Sequence, residues 1–283
     1  MTINAQVAAA RQRLRDAGIS RDESDLSARL LAEHALGWSR ERLLTDGSAG
    51  EPAGFTARFE ALVSRRARRE PLHYIVGHRE FWGLDFEVTP AVLIPRPETE
   101  ILVEATLARI GASAAMTVAD LCTGCGCVAI AIAHERPETR VIATDISEEA
   151  LAIARRNAER VGVADRVEIL RGDLVAPFET ICDVIVANPP YVVAGARTAL
   201  QPEVRDHEPD LALFGGDDGL RLVDRLIREA PPRIRSGGWL MFEFGLGQDL
   251  EVEEMITASP ELTFVGVERD LQGIARTAIA TRR

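Results

Sequence analysis

Through the first seventy or so residues apolar side chains recur three and four positions apart, the period of helices with one buried face. Val7, Leu14 and neighbouring alanines mark one stripe. Leu26, Leu30, Leu31 and Leu36 mark a second that stops at Gly37, and Phe55, Phe59, Leu62 and Val63 mark a third. The spacing predicts a small helical bundle over residues 1–76. Around Gly83 the period shortens to two through His78-Arg79-Glu80-Phe81-Trp82-Gly83-Leu84-Asp85-Phe86-Glu87-Val88, the pattern of a β-hairpin, so residues 77–95 read as a connector. Residues 96–283 then alternate strands with helices. Apolar runs end at Leu121, Thr144, Arg171, Val186 and Phe244, with helical stretches near 127–136, 147–162 and 218–229 between them. Such alternation predicts right-handed crossovers and a parallel sheet covered on both faces. The last β-rich runs, 264–268 and 274–280, leave no room for a helix between them and should pair antiparallel at a sheet edge.

Composition narrows the function. No apolar run approaches the roughly 18 residues that span a bilayer. The segment Met1-Thr2-Ile3-Asn4-Ala5-Gln6 has no export-signal pattern, so a cytoplasmic protein without a membrane partner is expected, its four cysteines reduced. A net charge of -11 argues against duplex DNA as a partner. The charge is uneven: residues 1–76 hold 12 arginines against 10 acidic residues, while the remainder holds 21 against 34. All 33 basic residues are arginine, which rules out a lysine Schiff base or a P-loop lysine.

Two motifs follow predicted strands. In Val118-Ala119-Asp120-Leu121-Cys122-Thr123-Gly124-Cys125-Gly126-Cys127-Val128-Ala129 a strand runs through a glycine turn into a helix, where backbone can approach a ligand closely. Asp145, about 20 residues on at the end of the next strand, can accept hydrogen bonds from ribose hydroxyls. A nucleoside-bearing cofactor fits this context; a tight turn with no ligand is the plain alternative. The second motif, Asn188-Pro189-Pro190-Tyr191, follows Val184-Ile185-Val186. Paired prolines fix the backbone and leave carbonyls without local partners, and the Asn188 side chain adds another acceptor. Rigid acceptors suit a planar NH2 group, whose flat face Tyr191 can cover. In a parallel sheet both motifs sit at carboxyl ends of strands and can share one cleft.

Other features point less sharply. Cys122, Cys125, Cys127 and Cys182 invite a metal, but Cys182 should begin its strand where Cys122 ends another, roughly 15 Å away at 3.3 Å per residue, so no metal is expected. The arginine-rich run 65–69 reads as a basic helix end resting on its own carbonyls rather than a nucleic-acid contact. His73, His78, His134 and His207 fall in no triad or metal spacing. The acidic stretch 203–210 reads either as a solvated loop or, given its place after Tyr191, as a cleft wall.

Both motifs resemble class I S-adenosylmethionine-dependent methyltransferases, and the Asn-Pro-Pro-Tyr form resembles those that methylate planar nitrogens. The segments Glu80-Phe81-Trp82-Gly83-Leu84, Leu93-Ile94-Pro95-Arg96-Pro97-Glu98-Thr99-Glu100, 208–220 and Asp270-Leu271-Gln272-Gly273-Ile274-Ala275-Arg276 narrow the resemblance to HemK-type release-factor glutamine methyltransferases, over nearly the whole chain. That family methylates the side-chain amide nitrogen of the glutamine in the Gly-Gly-Gln motif of bacterial translation release factors. The resemblance implies an α/β fold, a Rossmann-like, mostly parallel seven-stranded sheet joined by the hairpin to a helical domain that docks the protein substrate. It further implies that Cys122, Thr123, Gly124, Cys125 and Gly126 form the S-adenosylmethionine loop, with Asp145 on the ribose, Leu174 beside the adenine, and Asn188 between cofactor and substrate. Asn188, Pro189, Pro190 and Tyr191 would hold the amide, with Asn188, Pro189 and Tyr191 catalytic and the enzyme a monomer. Cys122 stands where the family has glycine and Cys125 where it has a small hydroxyl residue, departures that bear on cofactor affinity. A cysteine held at positive φ would be strained. Rival readings are a ribosomal-protein glutamine methyltransferase, a nucleic-acid adenine-N6 methyltransferase, a nicotinamide-dependent oxidoreductase, or an interaction protein with a vestigial site.

Overall fold

The computed structural model describes residues 1–111 and 115–283. Its helices are α1 (Ile3–Asp16), α2 (Arg21–Leu36), α3 (Arg40–Asp46), α4 (Phe55–Ala67), α5 (Leu72–Val76), α6 (Glu100–Leu107), α7 (Cys127–Glu135), α8 (Glu148–Val161), α9 (Pro202–His207), α10 (Asp210–Leu213), α11 (Arg221–Glu229) and α12 (Asp249–Ala258). The strands are β1 (His78–Phe81), β2 (Leu84–Glu87), β3 (Thr117–Leu121), β4 (Arg140–Asp145), β5 (Val167–Arg171), β6 (Cys182–Ala187), β7 (Val192–Val193), β8 (Phe214–Gly216), β9 (Ile234–Glu243), β10 (Leu262–Arg269) and β11 (Ala275–Arg282). The chain forms two compact units, Met1–His78 with Leu200–His207, and Arg79–Ala199 with Glu208–Arg283.

The first unit is helical. Thr2, Ser20 and Ser39 each accept a backbone N–H from the first turn of the helix they precede, and Gly37, at φ 64°, lets α2 end in a left-handed cap. Phe55 and Phe59 stack with ring centroids 5.1 Å apart over a core that includes Ile3, Leu14, Leu31 and Val63. Of the leucine stripe expected on α2, Leu31 is buried and Leu30 and Leu36 pack half-buried against the core. Leu26 is exposed, and the buried face consists of Ser24, Ser27, Ala28, Leu31, Ala32 and Ala35.

Small residues on that face make room for Arg66, which is 1% exposed. Its guanidinium meets Glu203 at 2.7 Å and Glu23 at 3.3 Å and donates to the Ser27 hydroxyl at 3.2 Å. Arg69 takes the other Glu203 oxygen at 2.6 Å, and Arg65 pairs with Glu70. Arg66 also donates to the Glu70 carbonyl at 3.3 Å, so the basic run 65–69 is held both by carboxylates and by a carbonyl at its own helix end. A solvated loop at 203–210 is corrected, because Glu203 and Glu208 are both buried.

In the second unit seven strands lie in the order β10-β11-β9-β6-β3-β4-β5. The pairs from β9 through β5 are parallel, and β11 pairs antiparallel with both β9 and β10, as the two terminal β-rich runs predict. From β3, near the middle, the chain winds outward to β4 and β5, then returns to β6 on the other side. This reversal creates the crevice at which open α/β sheets bind ligands. Leu121 is in register with Ala187, so the residues after β3 and those after β6 leave the sheet side by side. One face packs on Val223, Leu226, Ile227, Val252 and Ile256 from α11 and α12. Buried α7 and the amphipathic α8 belong to the crossovers between β3, β4 and β5, helices expected from the 3.6-residue period.

The hairpin turns at Trp82 (φ 55°) and Gly83 (φ 71°), two positive φ values as a two-residue turn between right-twisted strands requires. It is fastened to α8. Glu87 N–H donates to Asn157 Oδ1 at 2.8 Å, and Glu87 and Asp85 pair with Arg156 and Arg160. No helix among the described residues is long and apolar enough to cross a membrane.

Candidate active site

Three left-handed residues, Cys122 (φ 58°), Gly124 (φ 56°) and Gly126 (φ 84°), turn the chain from β3 into α7. A Cβ on Gly126 would lie 2.9 Å from Ile130 Cδ1 and 3.1 Å from Ala154 Cβ, so this glycine allows the turn to pack tightly against its helices. One on Gly124 would meet nothing within 4 Å, leaving that side of the loop open. Asp120 ties the loop down from within: its carboxylate accepts Thr123 Oγ1 at 2.6 Å and Ala129 N–H at 3.1 Å. Burial pushes Asp120 up to about 7 against those two donors.

Cys122 is strained as its φ predicts, since the left-handed region costs an L-residue about 1–2 kcal/mol. Its side chain packs against the core cluster beneath the sheet. Burial, followed by the charges of Asp145 and Asp120, raises its pKa and so disfavours the thiolate. Cys122→Gly should stabilise the protein by about 0.5–1 kcal/mol, the released strain less glycine's larger unfolded-state entropy. Thermal denaturation checks this; a lower melting temperature would mean that packing by the thiol outweighs the strain.

At the end of β4, Asp145 Oδ2 accepts Gly124 N–H at 2.9 Å and Oδ1 accepts Ser147 N–H at 3.0 Å. Burial raises its pKa despite these bonds. A carboxylate has about four acceptor positions, so capacity remains for a ribose hydroxyl. Leu174 is held at φ 50° with its carbonyl accepting Thr144 Oγ1 at 3.0 Å, and it is buried at the cavity wall.

The loop after β6 is braced on several sides. Asn188 Nδ2 donates to Thr99 Oγ1 at 3.1 Å, and Tyr191 Oη donates to Glu243 Oε1 at 2.9 Å. Glycines accept its backbone: a Cβ on Gly215 would lie 2.5 Å from the Pro190 carbonyl oxygen, and one on Gly219 2.3 Å from that of Tyr191. The glycine cluster 215–219 is thus a sequence signal of close approach, which only the packing makes legible. Opposite, Arg96 Nη2 donates to both oxygens of buried Glu208 at 2.7 and 2.8 Å. Burial raises the Glu208 carboxyl, with Arg96 opposing.

These elements enclose a cavity of about 470 Å³, within the usual range for cofactor sites. Of the anticipated residues, Cys122, Thr123, Gly124, Cys125, Asp145, Leu174, Asn188 and Pro190 line it. Gly126, Pro189 and Tyr191 stand behind this lining: Gly126 caps α7, Pro189 is buried within its turn, and the Tyr191 ring edge lies near Gly245. Pro209 alone of the stretch 203–210 lines it, followed by Leu211 and Ala212 just beyond, so the cleft wall is apolar and the acidic side chains are not part of it. The cysteines are free thiols, and among the described residues no group of His, Cys, Asp and Glu has metal-holding geometry. Reading along the chain did not single out Asp120, Thr99 or Glu243 as functional side chains. Asp120 and Glu243 do carry a signal, charge placed inside apolar strand ends.

Residues 6–77 match the family model described as the PrmC N-terminal domain, and residues 97–204 match the methyltransferase small domain. The chain is 41% identical to the release factor glutamine methyltransferase of Moorella thermoacetica, the alignment covering 100% of this chain and 99% of that protein. It is 44% identical to the protein of that name from Cereibacter sphaeroides, over 96% of this chain and 95% of that one. In fold it is similar to the crystal structure of a methyltransferase from Pyrococcus furiosus, with a TM-score of 0.55 and 21% identity over 77% of this chain and 98% of that one.

Proposed function

The chain belongs to the release factor glutamine methyltransferase family, and from that premise we propose how its site carries out the reaction. It transfers a methyl group from S-adenosylmethionine to the side-chain amide nitrogen of a release-factor glutamine. The observation that carries the assignment of residues is the register of Leu121 with Ala187, which brings the glycine turn and the Asn188 turn to one cavity.

The residues present fit the cofactor. The loop at Gly124 is open to the cavity, Asp145 keeps acceptor capacity for a ribose hydroxyl, and Leu174 supplies an apolar wall for the adenine. When bound, S-adenosylmethionine supplies an electrophilic methyl on a sulfonium. An amide nitrogen is a weak nucleophile because its lone pair is delocalised, so the protein's task is alignment. Asn188 Oδ1 and the Pro189 carbonyl, in the peptide that leads to the lining residue Pro190, accept the two N–H bonds of the substrate amide. Gripping both favours a pyramidal nitrogen whose lone pair points at the methyl. No strong base is needed before transfer, because the methylated nitrogen is strongly acidic and its surplus proton passes to solvent water afterwards. Tyr191, tied to Glu243, keeps the turn rigid beside the amide plane.

The helical domain, residues 1–76, docks the protein substrate, and the enzyme works as a cytoplasmic monomer. Its net charge of -11 disfavours duplex DNA as a partner. Intact mass of a purified bacterial release factor, after incubation with this protein and S-adenosylmethionine, tests the assignment beside a factor whose motif glutamine is alanine. We expect one methyl on the natural factor alone, and a lower KM for the whole factor than for a Gly-Gly-Gln peptide. Absence of methyl transfer to either, with the cofactor bound, would redirect the site to ribosomal-protein glutamine amides or nucleic-acid amines. Equal KM values would remove the docking role.

A further inference from the structure

An asparagine side chain has two ends of nearly equal size and opposite hydrogen-bonding character, so a site that needs its oxygen must fix which way it faces. Asn188 is fixed through two residues outside its own turn. Glu243, at the end of β9, is 1% exposed, and Thr99, before α6, is 3% exposed. Thr99 Oγ1 donates to Glu243 Oε2 at 2.7 Å and receives Asn188 Nδ2 at 3.1 Å.

The order of donors follows from the carboxylate. Burial raises the Glu243 carboxyl against the bonds it accepts from Thr99 and Tyr191; where it is ionised it can only accept, so the single hydroxyl proton of Thr99 points toward it. The Thr99 oxygen is then left with lone pairs alone, and Asn188 can satisfy it only with its NH2 end. Oδ1 is thereby turned away from Thr99. Meanwhile the second Glu243 oxygen accepts Tyr191 Oη at 2.9 Å, so one carboxylate governs both the first and the last residue of the turn.

We propose that Glu243 and Thr99 are positioning residues, a carboxylate-to-hydroxyl-to-amide relay that presents the Asn188 oxygen to the substrate NH2 group. This rests on the assignment of Asn188 as the amide acceptor. With the relay broken, the Asn188 amide is free to rotate, and its NH2 end would confront the substrate's own donors. Glutamine would then lose its advantage over a group that accepts hydrogen bonds, since selectivity of this kind depends on buried polar partners of fixed polarity.

The test measures methyl transfer to a release factor by wild type, Thr99→Val, Thr99→Ala, Thr99→Ser, Asn188→Ala and the Thr99→Val/Asn188→Ala double variant. Melting temperature and cofactor Kd are recorded for each. Thr99→Ala removes the hydroxyl without pressing a methyl on the carboxylate, which guards against a variant that fails to fold. We expect the Val and Ala variants to lose about tenfold or more in kcat with cofactor Kd little changed, and Thr99→Ser to restore most of the wild-type rate. In the Asn188→Ala background, Thr99→Val should cost nothing further, because the residue through which it acts is gone. Full kcat in a folded Thr99→Val or Thr99→Ala variant, or losses that simply multiply in the double variant, would overturn the relay. No transfer by wild type would instead overturn the substrate assignment on which it rests.

Discussion

Asn188→Ala should lower kcat for release-factor methylation by about 10²–10³-fold, the effect typical of removing one preorganised group that acts on the reacting atoms. Two consequences combine. The substrate nitrogen loses the acceptor that orients one of its N–H bonds, and Thr99 loses the donor that its oxygen receives at 3.1 Å. The cofactor anchors proposed above, the loop after β3 and Asp145, are untouched, so binding of S-adenosylmethionine should stay within about tenfold. Calorimetry with the cofactor and single-turnover kinetics with the factor separate the two quantities. A variant with full turnover would sink the proposed mechanism. Equal losses in cofactor affinity and rate would place Asn188 on the cofactor rather than on the amide.

That the Asn188 turn was legible in the sequence, while its supports were not, has a physical reason. A strand that ends in paired prolines announces a rigid turn locally, and the strand-helix alternation places it at the carboxyl edge of a parallel sheet. Hydrophobic period, glycine turns and the missing helix between β10 and β11 are all local signals, and they suffice for the sheet. Support for Asn188 is non-local: Thr99 lies 89 residues before it in the chain. Glu243 lies 144 residues after Thr99. No local spacing connects them; only folding the sheet brings the end of β9 beside the end of β6, where Ala187 is in register with Phe242. The φ of Cys122 was half legible, because the resemblance marks a glycine position while the residue itself conceals the conformation. On α2 the local signal held for Leu30, Leu31 and Leu36 and failed at Leu26; what the leucines could not show is that a guanidinium fits beside Ser27, on a face completed by serine and alanine.

Arg66→Leu should destabilise the helical unit by about 3 kcal/mol at neutral pH, the low end of the range for removing one partner of a buried ion pair. Glu203 would remain buried with Arg69 as its one remaining ion-pair partner among the described residues, and Ser27 would lose its donor. Removing both charges should hurt less: in Arg66→Leu/Glu203→Leu no carboxylate is left stranded, and apolar packing in a core of Ile3, Leu14 and Phe59 recovers much of the loss. The pH dependence has a definite sign. Burial raises the Glu203 carboxyl, but hydrogen bonds from Arg69 and Arg66 outweigh it and leave the folded-state pKa lowered. A carboxyl depressed in the folded state contributes stability that is full above its unfolded value, roughly 4.3, and is lost as pH falls through the folded value. The gap between wild type and Arg66→Leu should therefore be widest near neutrality and narrow below about pH 4. Hydrogen exchange of the α1, α2 and α4 amides reads this unit separately from the sheet. A gap that stayed constant through the acid range would assign the cost to lost packing of the arginine side chain rather than to its charge.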